Sequence, residues 1–142
     1  MQFPRRTLIG LALARLGLAP AMATVGPIQR PSASPEVWLR TELYFGTKRT
    51  GLPDVTKVDF DGFVTNYITP KFPDGLTRFM ADGQFRNSRG EIIMEASHVV
   101  ILFYPSQMRG ASAALNEIRE DYKRLYQQES VLRADGYNII SF

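Results

Sequence analysis

Two carboxylates and two guanidiniums at strand-like spacing carry the strongest chemical signal in this 142-residue chain. Arg40, Glu42 and Tyr44 occupy alternate positions of one run, Gln84 and Arg86 alternate positions of a second, and Glu95 lies on a third. Gathered on one surface, they could bind a polar ligand, or one carboxylate could act as a base if its pKa were raised. A plainer reading makes the same residues a solvated sheet face with cross-strand ion pairs, each worth about 0.2–1 kcal/mol. A third reading is a seam between two copies, because Val99, Ile101 and Phe103 extend the same face with apolar surface.

Other chemistries find little support. The chain has no cysteine and a single histidine, His98, so thiolate sites, disulfides and a cysteine nucleophile are excluded. A metal site would need several oxygen ligands, and no clustered acid spacing supplies them. No metal or cofactor is expected. Strand parity puts His98 on the covered face, where a lone histidine is ordinarily a hydrogen-bonded core residue, since a general base needs a positioned partner. The serines at 97, 106, 112, 130 and 141 lack a nucleophile-elbow context, and there is no glycine-rich phosphate loop. Phe72-Pro73-Asp74-Gly75 reads as a turn.

The elements that position these residues follow from periodicity. Trp38 to Phe45 alternates like a strand and ends at Gly46. Thr56-Lys57-Val58-Asp59 has the form of a capping box, and Phe60, Phe63, Val64, Tyr67 and Ile68 make an amphipathic helix stripe that Pro70 and Pro73 stop. Leu76 to Arg86 is strand-like, with Asp82-Gly83 marking a bulge or turn, and Asn87 to Gly90 is predicted to form the hairpin loop. A long apolar strand, Ile92 to Tyr104, follows. A second helix starts near Ala111 with Leu115, Ile118, Tyr122 and Leu125 on one face, and a last strand runs from Ser130 to Ala134, with Tyr137 to Phe142 as a candidate continuation.

This β-α-β-β-α-β order predicts an α+β, ferredoxin-like fold, a four-stranded antiparallel sheet with two helices on one face. Leu39, Leu43, Phe45, Ile92, Met94, Ala96, Val100 and Leu102 should point toward the helices. Arg40, Glu42, Tyr44, Glu95, Ser97, Val99, Ile101 and Phe103 should point to the open side. With Asn87 to Gly90 as the loop, Arg86 pairs with Glu91 and Gln84 with Ile93 on that open side, and Phe85, opposite Ile92, turns inward.

The N-terminus reads as a targeting segment. Arg5 and Arg6 form the charged region, Leu8 to Leu18 a weakly apolar one broken by Arg15, and Ala21-Met22-Ala23 the cleavage pattern. Arg15 and Pro20 argue against a membrane-spanning helix, which needs about 20 apolar residues in a row. Pro4-Arg5-Arg6-Thr7-Leu8-Ile9 resembles a twin-arginine signal, although paired arginines also occur in ordinary signal peptides, and both routes stay open. The expected organisation is a signal peptide over 1–23, a Pro/Ser-rich tether over 24–37 and one domain over 38–142, with periplasmic or secreted localisation. Removing 1–23 takes away three arginines and no acid, so 14 of the 17 basic residues remain against 14 acidic ones. That balance leaves no basic footprint for nucleic acid and, after cleavage, no stable membrane span.

Several stretches resemble a family of small exported bacterial proteins, domain of unknown function family 3574. They are Thr41-Glu42-Leu43-Tyr44-Phe45-Gly46, Thr69 to Thr77, Gly83-Gln84-Phe85-Arg86, Glu95-Ala96-Ser97 and Glu129-Ser130-Val131-Leu132-Arg133, spanning nearly all of 38–142. Two residues depart from the pattern: Phe85 stands in place of tryptophan and His98 in place of lysine. The resemblance implies an exported domain without an assigned role and supplies no catalytic residues. The functional expectation is therefore a module that binds a small molecule or a protein, or dimerises, through the open sheet face. The alternative is a cofactor-free enzyme built as a dimeric α+β barrel, with Arg40 and Glu95 acting and Tyr44 or Gln84 orienting the substrate.

Overall fold

The computed structural model describes residues 34–142. The segment expected to be a signal peptide and most of the expected tether fall outside the described residues. The elements are β1 (Glu36–Gly46), α1 (Lys57–Phe63) continued by a π-helical turn (Val64–Ile68), β2 (Thr77–Arg86), β3 (Ile92–Pro105), α2 (Ala111–Tyr126) and β4 (Leu132–Ile140). The strands pair antiparallel in the order β2-β3-β1-β4, the ferredoxin-like arrangement. The strand β1 reaches back to Glu36, opposite Ile140, so the last two residues assigned to the tether belong to the sheet.

Local chemistry sets the helices. The Asp59 amide donates to Thr56 Oγ1 (3.2 Å) and the Thr56 amide to the Asp59 carboxylate (3.0 Å), the reciprocal capping box. Hydrogen bonds from Thr56 hold the Asp59 carboxyl below the usual carboxylate range. Further along, Thr65 and Asn66 side chains donate to the carbonyls of Asp61 and Gly62 (3.0 and 2.8 Å). Such back-bonding competes with the helical ladder. The ladder widens there, with Thr69 N–H reaching Val64 O at 2.9 Å, just before Pro70 ends the helix. At the far end of α2, Gln127 takes a left-handed φ of 55° and donates to Lys123 O.

The core lies between the helices and one sheet face. Leu43 and Phe45 of β1 and Val100 and Leu102 of β3 meet Phe60 and Phe63 of α1 and Leu115, Ile118 and Tyr122 of α2. Phe45 is its aromatic centre, with ring centroids 5.3 Å from Phe60, 5.8 Å from Phe63 and 4.7 Å from Tyr122. The Tyr122 and Thr41 hydroxyls in this layer are paired. Tyr122 Oη donates to Gly46 O at 2.9 Å, and burial pushes its phenol pKa well up. Thr41 Oγ1 lies 2.8 Å from Tyr104 Oη and 2.6 Å from the Asp135 carboxylate.

Two dipeptides resolve differently from expectation. Asp82-Gly83 is neither bulge nor turn: the β2–β3 ladder runs unbroken from Thr77↔Ile101 to Arg86↔Ile92. Asp135-Gly136 likewise stays inside one continuous β4. Part burial opposes the Asp135 charge, but hydrogen bonds from Arg133 and Thr41 prevail and hold its carboxyl below the usual range. Those bonds hold Asp135 within the strand.

Candidate functional site

The face that the helices leave bare carries the candidate site. Across it the register sets Arg40 beside Phe103 and Gly136, Glu42 beside Ile101 and Ala134, and Tyr44 beside Val99 and Leu132. Directly opposite residues share a face. Arg40, Glu42, Tyr44 and Glu95 are therefore all on the open side, as strand alternation predicts.

Gln84 and Arg86 are not. The sequence predicts a four-residue loop over 87–90, but the loop has three residues, Ser88 to Gly90. Asn87 and Glu91 already belong to the ladder, with Asn87 N–H on Glu91 O at 3.0 Å. Gly90 takes the left-handed φ of 83° that closes such a hairpin. Asn87 Oδ1 fills the turn by accepting from Arg89 N–H (3.0 Å) and Glu91 N–H (2.9 Å). One residue of loop length exchanges the faces. Gln84 and Arg86 stand opposite Met94 and Ile92 on the helix side, and Phe85, predicted inward, stands opposite Ile93 on the open side.

Distance divides the remaining four. Arg40 is opposite Phe103, eight residues along β3 from Glu95, or about 26 Å at roughly 3.3 Å per residue. Arg40 and Glu95 cannot act on one small substrate, which removes them as a joint functional pair. Arg40, Glu42 and Tyr44 instead form a row along β1. One Glu42 oxygen pairs with the Arg40 guanidinium and the other accepts from Tyr44 Oη. That hydrogen bond to a carboxylate raises the Tyr44 phenol pKa above its ordinary value. Both Glu42 oxygens already have partners within the protein.

Glu95 is placed differently. The β1–β3 ladder ends near Gly46↔Ser97, and beyond it the Glu95 carboxylate takes over as acceptor, receiving Lys48 N–H at 2.8 Å. The carboxylate lies over the α carbon of Gly46: a Cβ built there would fall 2.5 Å from Glu95 Oε1. Gly83 sits opposite Glu95 on β2. The result is a hollow of about 190 Å³ floored by Gly46, Gly83 and Ser97, with Tyr44, Leu132 and the loop 128–130 at its rim. That rim is tied down. Gln128 Nε2 donates to Lys48 O at 2.7 Å, and Ser88 N–H and Oγ both donate to the Glu129 carboxylate at 3.2 Å.

Sequence reasoning takes Gly46 as a strand end and Gly83 as part of a bulge or turn, and so misses the floor of the hollow. The signal that could have found it is that glycine inside a strand marks the close approach of another group. At the other end of the same face, Trp38, Ile101, Phe103, Ile140 and Phe142 line an apolar groove of about 440 Å³, with the Trp38 and Phe142 rings edge to face at 5.5 Å. Among the described residues no group of three or more potential metal ligands clusters, and no helix is long and apolar enough to cross a membrane.

No curated protein matches the chain in sequence. Among solved structures, a phage SAM lyase in complex with S-methyl-5′-thioadenosine is similar in fold: TM-score 0.59 at 13% identity, over 81% of this chain and 95% of that one. The same lyase in its apo state gives a TM-score of 0.53 at 13% identity over the same shares. At that identity the likeness is one of fold. In sequence, residues 40–142 match the family described as protein of unknown function DUF3574, and the chain belongs to that family.

Proposed function

We propose that this is an exported domain that binds a small, donor-rich ligand in the hollow over Gly46 and Gly83, with Glu95 as the principal acceptor. The observation that carries the proposal is the Glu95 carboxylate, pinned by one amide over a bare α carbon. A carboxylate has about four lone-pair sites, so most of its accepting capacity faces the hollow. Ser97 adds a hydroxyl to the lining beside Gly83. Export rests on the N-terminal pattern of paired arginines, apolar stretch and Ala21-Met22-Ala23, and N-terminal sequencing of the protein from a fractionated bacterial host tests it: a start at Thr24 in the exported fraction is expected.

The similar lyase was captured with S-methyl-5′-thioadenosine, whose ribose hydroxyls and adenine amine are donors of the required kind. It is the first compound to try, within a panel of nucleosides and polyols. A concentration-dependent rise in melting temperature is expected for the mature protein, and its loss in Glu95→Gln. A panel without effect, or equal shifts in the variant, overturns the reading.

A second reading is an enzyme whose pocket closes when two sheets pack face to face. It is favoured by apolar side chains on the open face: Phe79 is 50% exposed, Phe103 38% and Leu132 62%, a surface suited to a partner. Its acting residues would be Glu95 with Tyr44. Sedimentation velocity decides: a dimer broken by Leu132→Lys supports this reading, and a monomer at all concentrations ends it.

A further inference from the structure

On the helix side, α1 and β2 enclose a second cleft of about 230 Å³ that does not depend on the hollow. His98 stands within it, only 6% exposed, its ring parallel to that of Phe60 at a centroid distance of 3.9 Å. Val55 and Met80 supply apolar walls. Asp61 bridges two cations across the cleft, with Lys57 Nζ at 2.7 Å from Oδ2 and Arg78 Nη1 at 2.6 Å from Oδ1.

Three features bear on what this cleft takes. Two cations against one carboxylate leave a surplus positive charge, and both Arg78 and Lys57 keep further N–H donors beyond the bridge. The walls are apolar, so a bare inorganic ion would be poorly matched. His98 Nε2 is buried and has no hydrogen-bond partner, a state native proteins rarely leave to a structural residue. Burial first, and then Arg78, lower the His98 pKa, so the imidazole adds no charge of its own at neutral pH.

We propose that the cleft between α1 and β2 is a binding site for a small organic carboxylate. The carboxylate is received by Arg78 and Lys57, and an aromatic or short aliphatic body rests on Met80 beside His98. The volume lies below the roughly 300–1,000 Å³ of sites for drug-sized ligands, so the occupant is of fragment size.

The chain has one histidine, and its imidazole proton resonances report on the cleft without labelling. Benzoate titrated into the mature protein should move them saturably, while benzylamine and sulfate should not. Arg78→Gln should weaken the benzoate affinity at least tenfold. Lys57→Gln, at a surface position, should weaken it several-fold and guards against a folding defect in the first variant. Unmoved resonances, unchanged affinity in both variants, or an equal response to sulfate would overturn the proposal.

Discussion

Thr41 and Glu95 lie on opposite faces of the same sheet, and their surroundings differ in kind. Below the sheet, the Thr41 hydroxyl is held between Tyr104 and Asp135, and Asp135 is held in turn by Arg133. Each polar group of that network is answered by another from the protein. On the open face, one protein amide fixes Glu95 and glycines clear the space around it. Closed polar networks hold a fold together. A carboxylate that is positioned but incompletely partnered is arranged for something else.

Substitutions can break or sharpen that contrast, and the largest effect belongs beneath the sheet. Phe45→Ala should cost about 3–5 kcal/mol, read by chemical denaturation, because Phe45 is fully buried against three other rings. Next, Thr41→Val should cost about 1–3 kcal/mol by leaving Tyr104 Oη and Asp135 short of a partner. A neutral result there would mean the network is not closed as described.

A smaller effect is expected from acid. Because burial disfavours the charged imidazole of His98, the unfolded chain takes up that proton first, near pH 6.5. The associated stability is complete above that pH and is lost as the pH falls toward the lower folded-state pKa. Melting temperatures should therefore decline below about pH 6.5 in the wild type and less steeply in His98→Gln. Parallel profiles would show that His98 is not held neutral by its site.

The smallest change in stability, and the sharpest functional one, belongs to Gly46→Ala. The new methyl must push the Glu95 carboxylate aside and off the Lys48 amide, so the unfolding free energy should fall by about 0.5–1.5 kcal/mol, the worth of one hydrogen bond. Moving that carboxylate, however, displaces the hollow's principal acceptor, and any thermal shift from its ligand should vanish. Retained binding would place the site elsewhere on the face.

Side-chain alternation alone places Arg40, Glu42, Tyr44 and Glu95 on one face, because a period of two is written directly into β1 and β3. It says nothing about position along the strands, which depends on pairing register, and so it cannot warn that Arg40 and Glu95 stand at opposite ends. Gln84 and Arg86 turn on the length of the hairpin loop. That length is decided by Asn87 Oδ1 capturing two amides and by Gly90 accepting a left-handed φ, a three-dimensional fit that the string Asn-Ser-Arg-Gly does not specify. Asp135-Gly136 resists reading for a similar reason: its partner, Thr41, is 94 residues away.

Gly46 is touched from both sides. Its carbonyl receives the Tyr122 hydroxyl from below, and its bare α carbon lies under the Glu95 carboxylate above. The peptide plane there acts as a thin partition between α2 and the hollow, so any shift of α2 that moves the Tyr122 hydroxyl would tilt the floor on which a ligand rests. Mutations deep in α2 could then retune affinity from behind, without a single altered atom in the lining.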